Sequence, residues 1–561
     1  MQSKMTPIKS YGSEIYLLIS FAALAVIPLL FILRFLDNNR LTSWQWVFAD
    51  GGLGTVYMLI VPAILLAYAF SCFAFPERFP GIFLFLSAFA TSAFLWDVPE
   101  VLLDASRYFV QAKSLALYGP GFYWQEWGKR VAAWTDLPLV PFLYGLQFKL
   151  FGEARIFIQA FNSLLFAATA VLSARIGTLL WDKTTGFYAG LLLLAIPYLP
   201  TQVPLLLVDI TTMFFLILTV YTYLKALTAG GLFWCSMSCL GIVLTLFSKY
   251  STWPMLGVLP VITLVYLHRS PAGILRRALL IGLVAVLAAS TVFLVHYDVF
   301  LEQIHILRTF QAEGLKRWQE GYISSFLFQI HPVVTVAALW GIFRAFKKKD
   351  CRFLVAGWFA IFVFFLGIKR MRYMIPILPL LTLMAAYGLN SLHDERLKKF
   401  CSYVAVFSSL IILFAVYKPF LLRTSMQNLQ AAGHYLDTLP EETFSVLCLP
   451  QHESSGSTFV ALPILDLYTR KNLRSETLWA PPEGHPEFMQ QSLRFSWELQ
   501  QPDFYLPAEP NGPTLRVIIA SQDPFMRQRE TGAQKKQAAV KKFNQQTGVF
   551  RYKALVVILP P

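Results

Sequence analysis

Val101-Leu102-Leu103-Asp104-Ala105-Ser106-Arg107-Tyr108 lies just beyond the third long apolar segment of the chain. It opens a polar and aromatic interval that runs to about residue 153, after which apolar segments resume. A carboxylate at the edge of a hydrocarbon layer is costly unless it is solvated or paired, so such residues mark function. A second acid, Asp209, stands at the start of another apolar run. The organisation of the chain follows from the frame around these two acids.

Of the 561 residues, 56% are hydrophobic, well above the share of an ordinary soluble domain. Segments of about 20 apolar residues, each enough to cross a bilayer core, recur from Tyr16 to Phe420. The pattern predicts about thirteen spans, at 13–35, 55–75, 80–96, 154–179, 186–203, 206–228, 231–249, 252–268, 278–297, 325–344, 353–368, 371–390 and 401–420. Beyond them the chain turns polar. The expected fold class is therefore an all-α polytopic membrane domain followed by a small soluble α/β domain. Residues 1–96 form N-terminal transmembrane helices and 97–153 an outer loop with amphipathic helices. Residues 154–420 form the remaining membrane core, and 421–561 the α/β unit.

The net charge is +15. Most of it sits in short loops between spans, where it sets orientation and meets lipid phosphates. No single basic surface is implied, and nucleic acid is not an expected partner. Arg344 to Arg352, His268 to Arg277 and His393 to Lys399 are the basic short loops, and all fall on one side of the span count. That side is expected to be cytoplasmic, together with the N-terminus. The 97–153 loop, the 298–324 loop and the C-terminal domain then face the opposite compartment. The first apolar segment, Ile15 to Leu33, has no small-x-small cleavage site at its end and reads as a retained anchor. The expectation is a multi-pass protein of a bacterial inner membrane. Six cysteines are scattered, and only Cys448 lies in the soluble part, which argues against a disulfide or metal framework there.

Within 97–153, Asp104, Arg107, Tyr108, Gln111 and Lys113 recur at helical spacings among apolar residues, the pattern of an interfacial amphipathic helix. Gly119-Pro120-Gly121 is expected to end it. The aromatic run Phe122 to Trp127 suits the headgroup belt or the apolar face of a sugar. Trp134-Thr135-Asp136-Leu137-Pro138 leads into a second helix, Leu139 to Leu150, closed by Phe151-Gly152. Asp209 reads either as a helix-capping aspartate or as a site residue. Ser248-Lys249-Tyr250 ends a span on the outer side. Lys369-Arg370-Met371-Arg372 also falls on the outer side, against the charge rule, and reads as an anion site suited to phosphate. His331 reads as a satisfied core histidine or a substrate ligand. The 298–324 loop reads as a surface helix or lid.

In the C-terminal part, segments 444–449, 515–520 and 554–559 read as strands. Residues 428–439 and 535–543 read as helices, and 454–458 as a loop. None of these has catalytic spacing.

The chain resembles the GT-C superfamily of integral membrane glycosyltransferases. It is similar in particular to the branch with dolichyl-phosphate-mannose-protein mannosyltransferases and the lipid A aminoarabinose transferase. The resemblance rests on Asp-x-x-x-Tyr at Asp104 to Tyr108, the proline-led helix from Leu137-Pro138 to Phe151-Gly152, and Asp209 with Lys249-Tyr250. It rests also on Lys-x-x-Arg-Tyr-x-x-Pro-x-x-Pro at Lys369, Arg372, Tyr373, Pro376 and Pro379. Together these cover roughly residues 95–390. Many members carry a second acid where this chain has Ala105, and Glu-Lys-Pro-Pro where it has Thr135 to Pro138; Asp136 stands near that missing acid.

The resemblance implies transfer of a sugar from a polyprenyl-phosphate donor to a glycan, lipid or protein acceptor at the outer face, with inversion. It implies Asp104 as base or acceptor-orienting carboxylate, with Asp136 and Asp209 as further catalytic candidates. Lys249, Lys369 and Arg372 would hold the donor phosphate, and Tyr108, Tyr250, His331 and Tyr373 would line the substrate site. No metal or other cofactor is implied. Rival readings of the same features are a polyprenyl-lipid transporter and a non-catalytic subunit of an envelope-glycan assembly system. Internal repeats, common in transporters, are not visible in the sequence.

Overall fold

A computed structural model of the chain describes residues 13–73, 78–311, 320–424, 426–449, 458–476, 501–506, 516–520, 541–545 and 555–559. Among these residues, seven helices are long and apolar enough to cross a membrane. They are Glu14–Ile32, Leu53–Ser71, Arg155–Leu180, Asp209–Thr228, Pro271–Val295, Met371–Asn390 and Glu395–Leu421. Pro80–Ala93, Leu232–Leu246 and Phe353–Phe365 are shorter apolar helices. The expected thirteen spans are therefore not matched by thirteen helices of spanning length. The expected 186–203 span is broken into Lys183–Leu191, a tight turn at Leu192–Ala195 and Tyr198–Gln202. The 252–268 span is divided at Gly257 into Thr252–Met255 and Val258–Tyr266. Such breaks are tolerated at membrane depth where protein rather than lipid surrounds the backbone, and 185–203 is buried throughout.

Burial ranks the helices. In Met371–Asn390, 89% of the apolar window is inside the protein, against 17% in Pro271–Val295. The first forms the axis of the bundle; the second presents Leu279, Leu283, Leu287 and Leu294 outward. The axial helix meets Pro332–Lys348 backbone to backbone. A Cβ on Gly388 would lie 2.0 Å from the Ala337 carbonyl oxygen, and one on Gly341 2.4 Å from that of Met384. Close approach through small residues is how helices gain dispersion energy where lipid removes the hydrophobic drive.

The 97–153 loop carries two helices. Asp104–Glu126 does not stop at Gly119-Pro120-Gly121, as expected, but bends there: Gly119 takes φ 91° and the helix resumes beyond it. Proline suits a first helical turn, where its missing N–H has no partner to lose. Leu139–Phe151 ends at Gly152, φ 97°, a conformation open to glycine.

Beyond Leu421 the chain forms a five-stranded sheet in the order β2-β1-β3-β5-β4. The strands are β1 (Thr443–Cys448), β2 (Asn472–Ser475), β3 (Arg516–Ala520), β4 (Lys541–Phe543) and β5 (Leu555–Leu559). β1 runs parallel to β2 and β3, while β5 is antiparallel to β3 and β4. The expected helix over 535–543 is corrected at its C-terminal end: Lys541–Phe543 pairs with Val556–Ile558 as an edge strand, and 535–540 lie outside the described residues. So do 454–457 of the expected loop, whereas Thr458 begins the helix Thr458–Asp466. The expected Asn428–Leu439 helix is Met426–Leu436.

The α/β unit is seated on the 97–153 loop. Lys113 Nζ lies 2.6 Å from Asp466 Oδ2 and 2.8 Å from Glu153 Oε1. The Tyr505 hydroxyl donates to Asp466 at 2.5 Å, and the Glu100 amide donates to the Tyr468 hydroxyl at 2.6 Å.

Candidate functional site

Asp209 opens its helix but does not cap it. The cap position is Val208, with no side-chain hydrogen bond. The fully buried Asp209 carboxylate turns instead to two cations: Lys249 Nζ at 2.5 Å from Oδ1 and Arg372 Nε at 2.9 Å from Oδ2. The reading of Asp209 as a simple cap is thereby overturned. The segment before it is held by a scaffold absent from the expected site. Glu100, buried at the start of the outer loop, accepts from Arg155 Nε at 2.8 Å and from the Leu206 amide at 3.2 Å. Asn162 donates to the Leu205 carbonyl and Tyr144 to that of Leu207.

Arg372 joins the two acids. Its Nη1 lies 2.5 Å from Asp104 Oδ2, on the first turn of the outer-loop helix. The Arg372 and Asp209 side chains are 7% and 0% exposed, whereas that of Asp104 is 37% exposed. Asp104 is thus the carboxylate of this pair that solvent or a substrate can reach. Burial alone would raise its pKa, but the charges of Arg372 and then Arg107 outweigh it and hold the carboxyl well below the usual range.

One turn further along, the same helix face continues the site. Arg107 forms a buried ion pair with Asp136, and Gln111 Nε2 donates to Asp136 at 3.3 Å. Arg107 also lies over the Trp134 ring, 4.4 Å from its centroid, and reaches the Tyr108 hydroxyl at 3.3 Å. Burial pushes the Asp136 carboxyl up against the pull of Arg107. The Tyr250 hydroxyl donates to Gln303 at 2.5 Å, and Gln303 in turn donates to the Asp136 carbonyl at 2.7 Å. Tyr373 lies between two cations, its ring centroid 5.3 Å from Lys249 Nζ and 5.2 Å from the Arg370 guanidinium.

The structure therefore brings together Asp104, Asp136, Asp209, Lys249, Arg372, Tyr108, Tyr250 and Tyr373. It does not bring in Lys369 or His331. The Lys369 side chain is exposed, 6.0 Å from the Tyr322 ring. Arg370, not Lys369, is buried beside Arg372. His331 is a core residue: its Nδ1 accepts from the Val333 amide at a helix start, and its Nε2 contacts the Ser408 hydroxyl at 2.8 Å.

Glu320 was also missed. It accepts from the Met371 amide at 3.1 Å and from Asn39 at 3.4 Å, and faces Arg370 at 4.0 Å. Its signal was its place as the last acid of the charged 298–324 loop. Arg107 was signalled by its three-residue spacing from Asp104 on a helix.

No protein-family model matches the chain, and no curated protein sequence matches it. Solved structures do. ArnT from Cupriavidus metallidurans bound to undecaprenyl phosphate matches with a TM-score of 0.55 at 15% identity, over 87% of this chain and 98% of that one. Its apo state matches with a TM-score of 0.56 at 15% identity, over 84% and 96%. Archaeal oligosaccharyltransferase AglB from Archaeoglobus fulgidus, in complex with an inhibitory peptide and a dolichol-phosphate, gives a TM-score of 0.46 at 11% identity over 71% and 65%. This multi-pass membrane chain shares the fold of the two ArnT structures.

Proposed function

We propose that the chain transfers a sugar from a polyprenyl-phosphate-linked donor to a glycan, lipid or protein acceptor at the extracytoplasmic membrane face, with inversion. The observation that carries this reading is the Asp104–Arg372–Asp209–Lys249 chain: two cations for a phosphate, joined to one reachable carboxylate. Undecaprenyl phosphate in the similar ArnT structure supports the class of donor.

In this reading the donor phosphate binds Lys249 and Arg372 and displaces Asp104 from Arg372 Nη1. Losing that neighbour raises the basicity of Asp104, which then accepts the proton of the acceptor nucleophile. The nucleophile attacks the anomeric carbon from the face opposite the phosphate. The bond from carbon to phosphate oxygen breaks, and the departing polyprenyl phosphate takes the electron pair, its charge met by Arg372 and Lys249. Arg107, locked by Asp136, fixes the position of the helix turn that carries Asp104.

Asp104→Asn tests the assignment. In membranes supplied with polyprenyl-phosphate sugars, transfer is expected to fall by about 100-fold or more, with unchanged expression and elution in detergent. Full transfer by this variant would remove Asp104 from the reaction. A chain that moves lipid-linked sugar across vesicles without transferring it would be a transporter.

A further inference from the structure

The axial helix Met371–Asn390 spans 20 residues, about 30 Å at 1.5 Å per residue, the thickness of a hydrocarbon core. Arg372 stands at one end. At the other lies a cavity of about 660 Å³ lined by Trp181, Asp182, Lys348, Lys349, Asp350 and Tyr387, among others. It is therefore separated from the Asp104 cluster by the width of the membrane. It lies on the side of the Arg344–Arg352 basic loop.

The charges of this cavity are unevenly committed. Asp350 is taken by Arg352 through bonds of 2.9 and 3.0 Å, and by the Trp181 indole at 3.1 Å. Asp182 is taken by the Thr185 amide and hydroxyl and by Asn390 Nδ2 at 2.9 Å. Both carboxylates are thus satisfied by donors of the protein itself. Lys348 and Lys349 form no ion pair among the described residues, and both are exposed at the rim. Lys349 takes φ 52° at the end of its helix, a place that favours glycine; here it carries a lysine, which directs a cation to the rim. The floor is aromatic, with the Trp181 and Tyr387 ring centroids 4.9 Å apart.

The cavity adjoins a lipid-facing flank. Ser391, which also lines it, accepts from the Trp340 indole at 2.8 Å. Trp340, Phe343 and Phe346 are exposed on the same helix as Lys348. Free cations beside an outward aromatic stripe suit a molecule with an anionic head and an apolar tail. Basic pockets between transmembrane helices hold lipid headgroups in this way.

We propose that this cavity binds the phosphate headgroup of an anionic glycerophospholipid, in the leaflet opposite the Asp104 cluster. Lys348 and Lys349 meet the phosphate, and the acyl chains lie along Trp340 and Phe343. The bound lipid ties Lys183–Leu191, Pro332–Lys348 and the axial helix together at their ends. The site is independent of the proposed sugar transfer.

The test uses the full chain in detergent, with phosphatidylglycerol as probe and phosphatidylcholine as comparison, read by native mass spectrometry. Phosphatidylglycerol is expected to be retained as one adduct per chain and phosphatidylcholine not. Lys348→Glu with Lys349→Glu is expected to weaken retention at least about tenfold, the effect of losing two phosphate contacts. Lys347→Glu with Arg396→Glu makes the same change of charge outside the cavity and is expected to leave retention intact. Equal weakening by both pairs would reduce the effect to diffuse attraction and overturn the site. Equal retention of the two lipids would overturn it as well. Release of the adduct by millimolar inorganic phosphate would overturn the lipid assignment in favour of a soluble anion.

Discussion

Arg372 Nη1 lies 2.5 Å from Asp104 Oδ2 while its Nε lies 2.9 Å from Asp209 Oδ2. One planar group thus holds the reachable carboxylate and the buried one at a set separation. Lysine is a point charge and cannot reproduce that fork. Arg372→Lys is expected to raise the apparent donor KM at least about tenfold, the effect of one lost charge-assisted contact. Arg372→Ala leaves Asp209 less compensated and is expected to cost about 3–5 kcal/mol of stability. Donor titration of transfer rates and thermal unfolding in detergent check the two effects. An unchanged donor KM in Arg372→Lys would remove Arg372 from the phosphate site.

Glu320 acts one residue away from this fork. It accepts the Met371 amide and faces Arg370, so it sets the backbone that delivers Arg372. Glu320→Ala is expected to raise donor KM several-fold while kcat changes little, because the loop loosens before the donor binds and is held by the donor afterwards. Steady-state kinetics separate the two. A fall in kcat at constant KM would show that Glu320 serves the chemistry rather than the position.

Glu153 gives the seating of the α/β unit a pH dependence. Burial, and the nearby Asp466 charge, push its carboxyl up to about 7 despite Lys113. The ordinary value is 4.5, so the folded state holds the proton more tightly than the unfolded chain. This contribution to stability is complete below pH about 4.5 and is lost as pH rises through about 7. Glu153→Gln is expected to raise the unfolding temperature at pH 8 and to flatten its slope between pH 5 and pH 8. A variant that follows the parent slope would show that another group titrates.

Gly388 sets a backbone-to-backbone helix contact. Its missing Cβ leaves room for the Ala337 carbonyl, which would otherwise lie at 2.0 Å. Backbone cannot swing aside as a side chain can, so Gly388→Ala is expected to cost about 1–3 kcal/mol. Thermal unfolding in detergent measures it. An unchanged unfolding temperature would mean that the two helices shift freely.

Much of this architecture was legible along the chain. Apolar length marked the helices, and the polar interval after residue 96 marked the 97–153 loop. Helical spacing aligned Asp104 with Arg107 and Gln111; Arg107 and Gln111 are buried in that helix, and Asp104, at its start, reaches Arg372. The strands 443–448, 516–520 and 555–559 followed from their β-branched runs. Breaks in spans were less legible. In 186–203 the apolar content persists while the helix does not, because buried protein surroundings accept an irregular backbone that lipid would reject. The choice within Lys369-Arg370-Met371-Arg372 was not legible at all. Three basic residues around Met371 give no sign of which two are buried, and the structure buries Arg370 and Arg372.

The sequence by itself determined a multi-pass membrane unit, a long polar loop opening on Asp104, and a polar C-terminal α/β unit. These follow from local periodicity and from the cost of polar groups in lipid, both readable over one or two turns. Only the tertiary structure decided that Asp209 serves Lys249 and Arg372 instead of its own helix end, and that His331 belongs to the core. Asp104 and Arg372 are 268 residues apart in the chain, and no periodicity carries over that distance. Their meeting is set by how the axial helix packs against the 97–153 loop, and a buried guanidinium there must find both carboxylates to offset its desolvation.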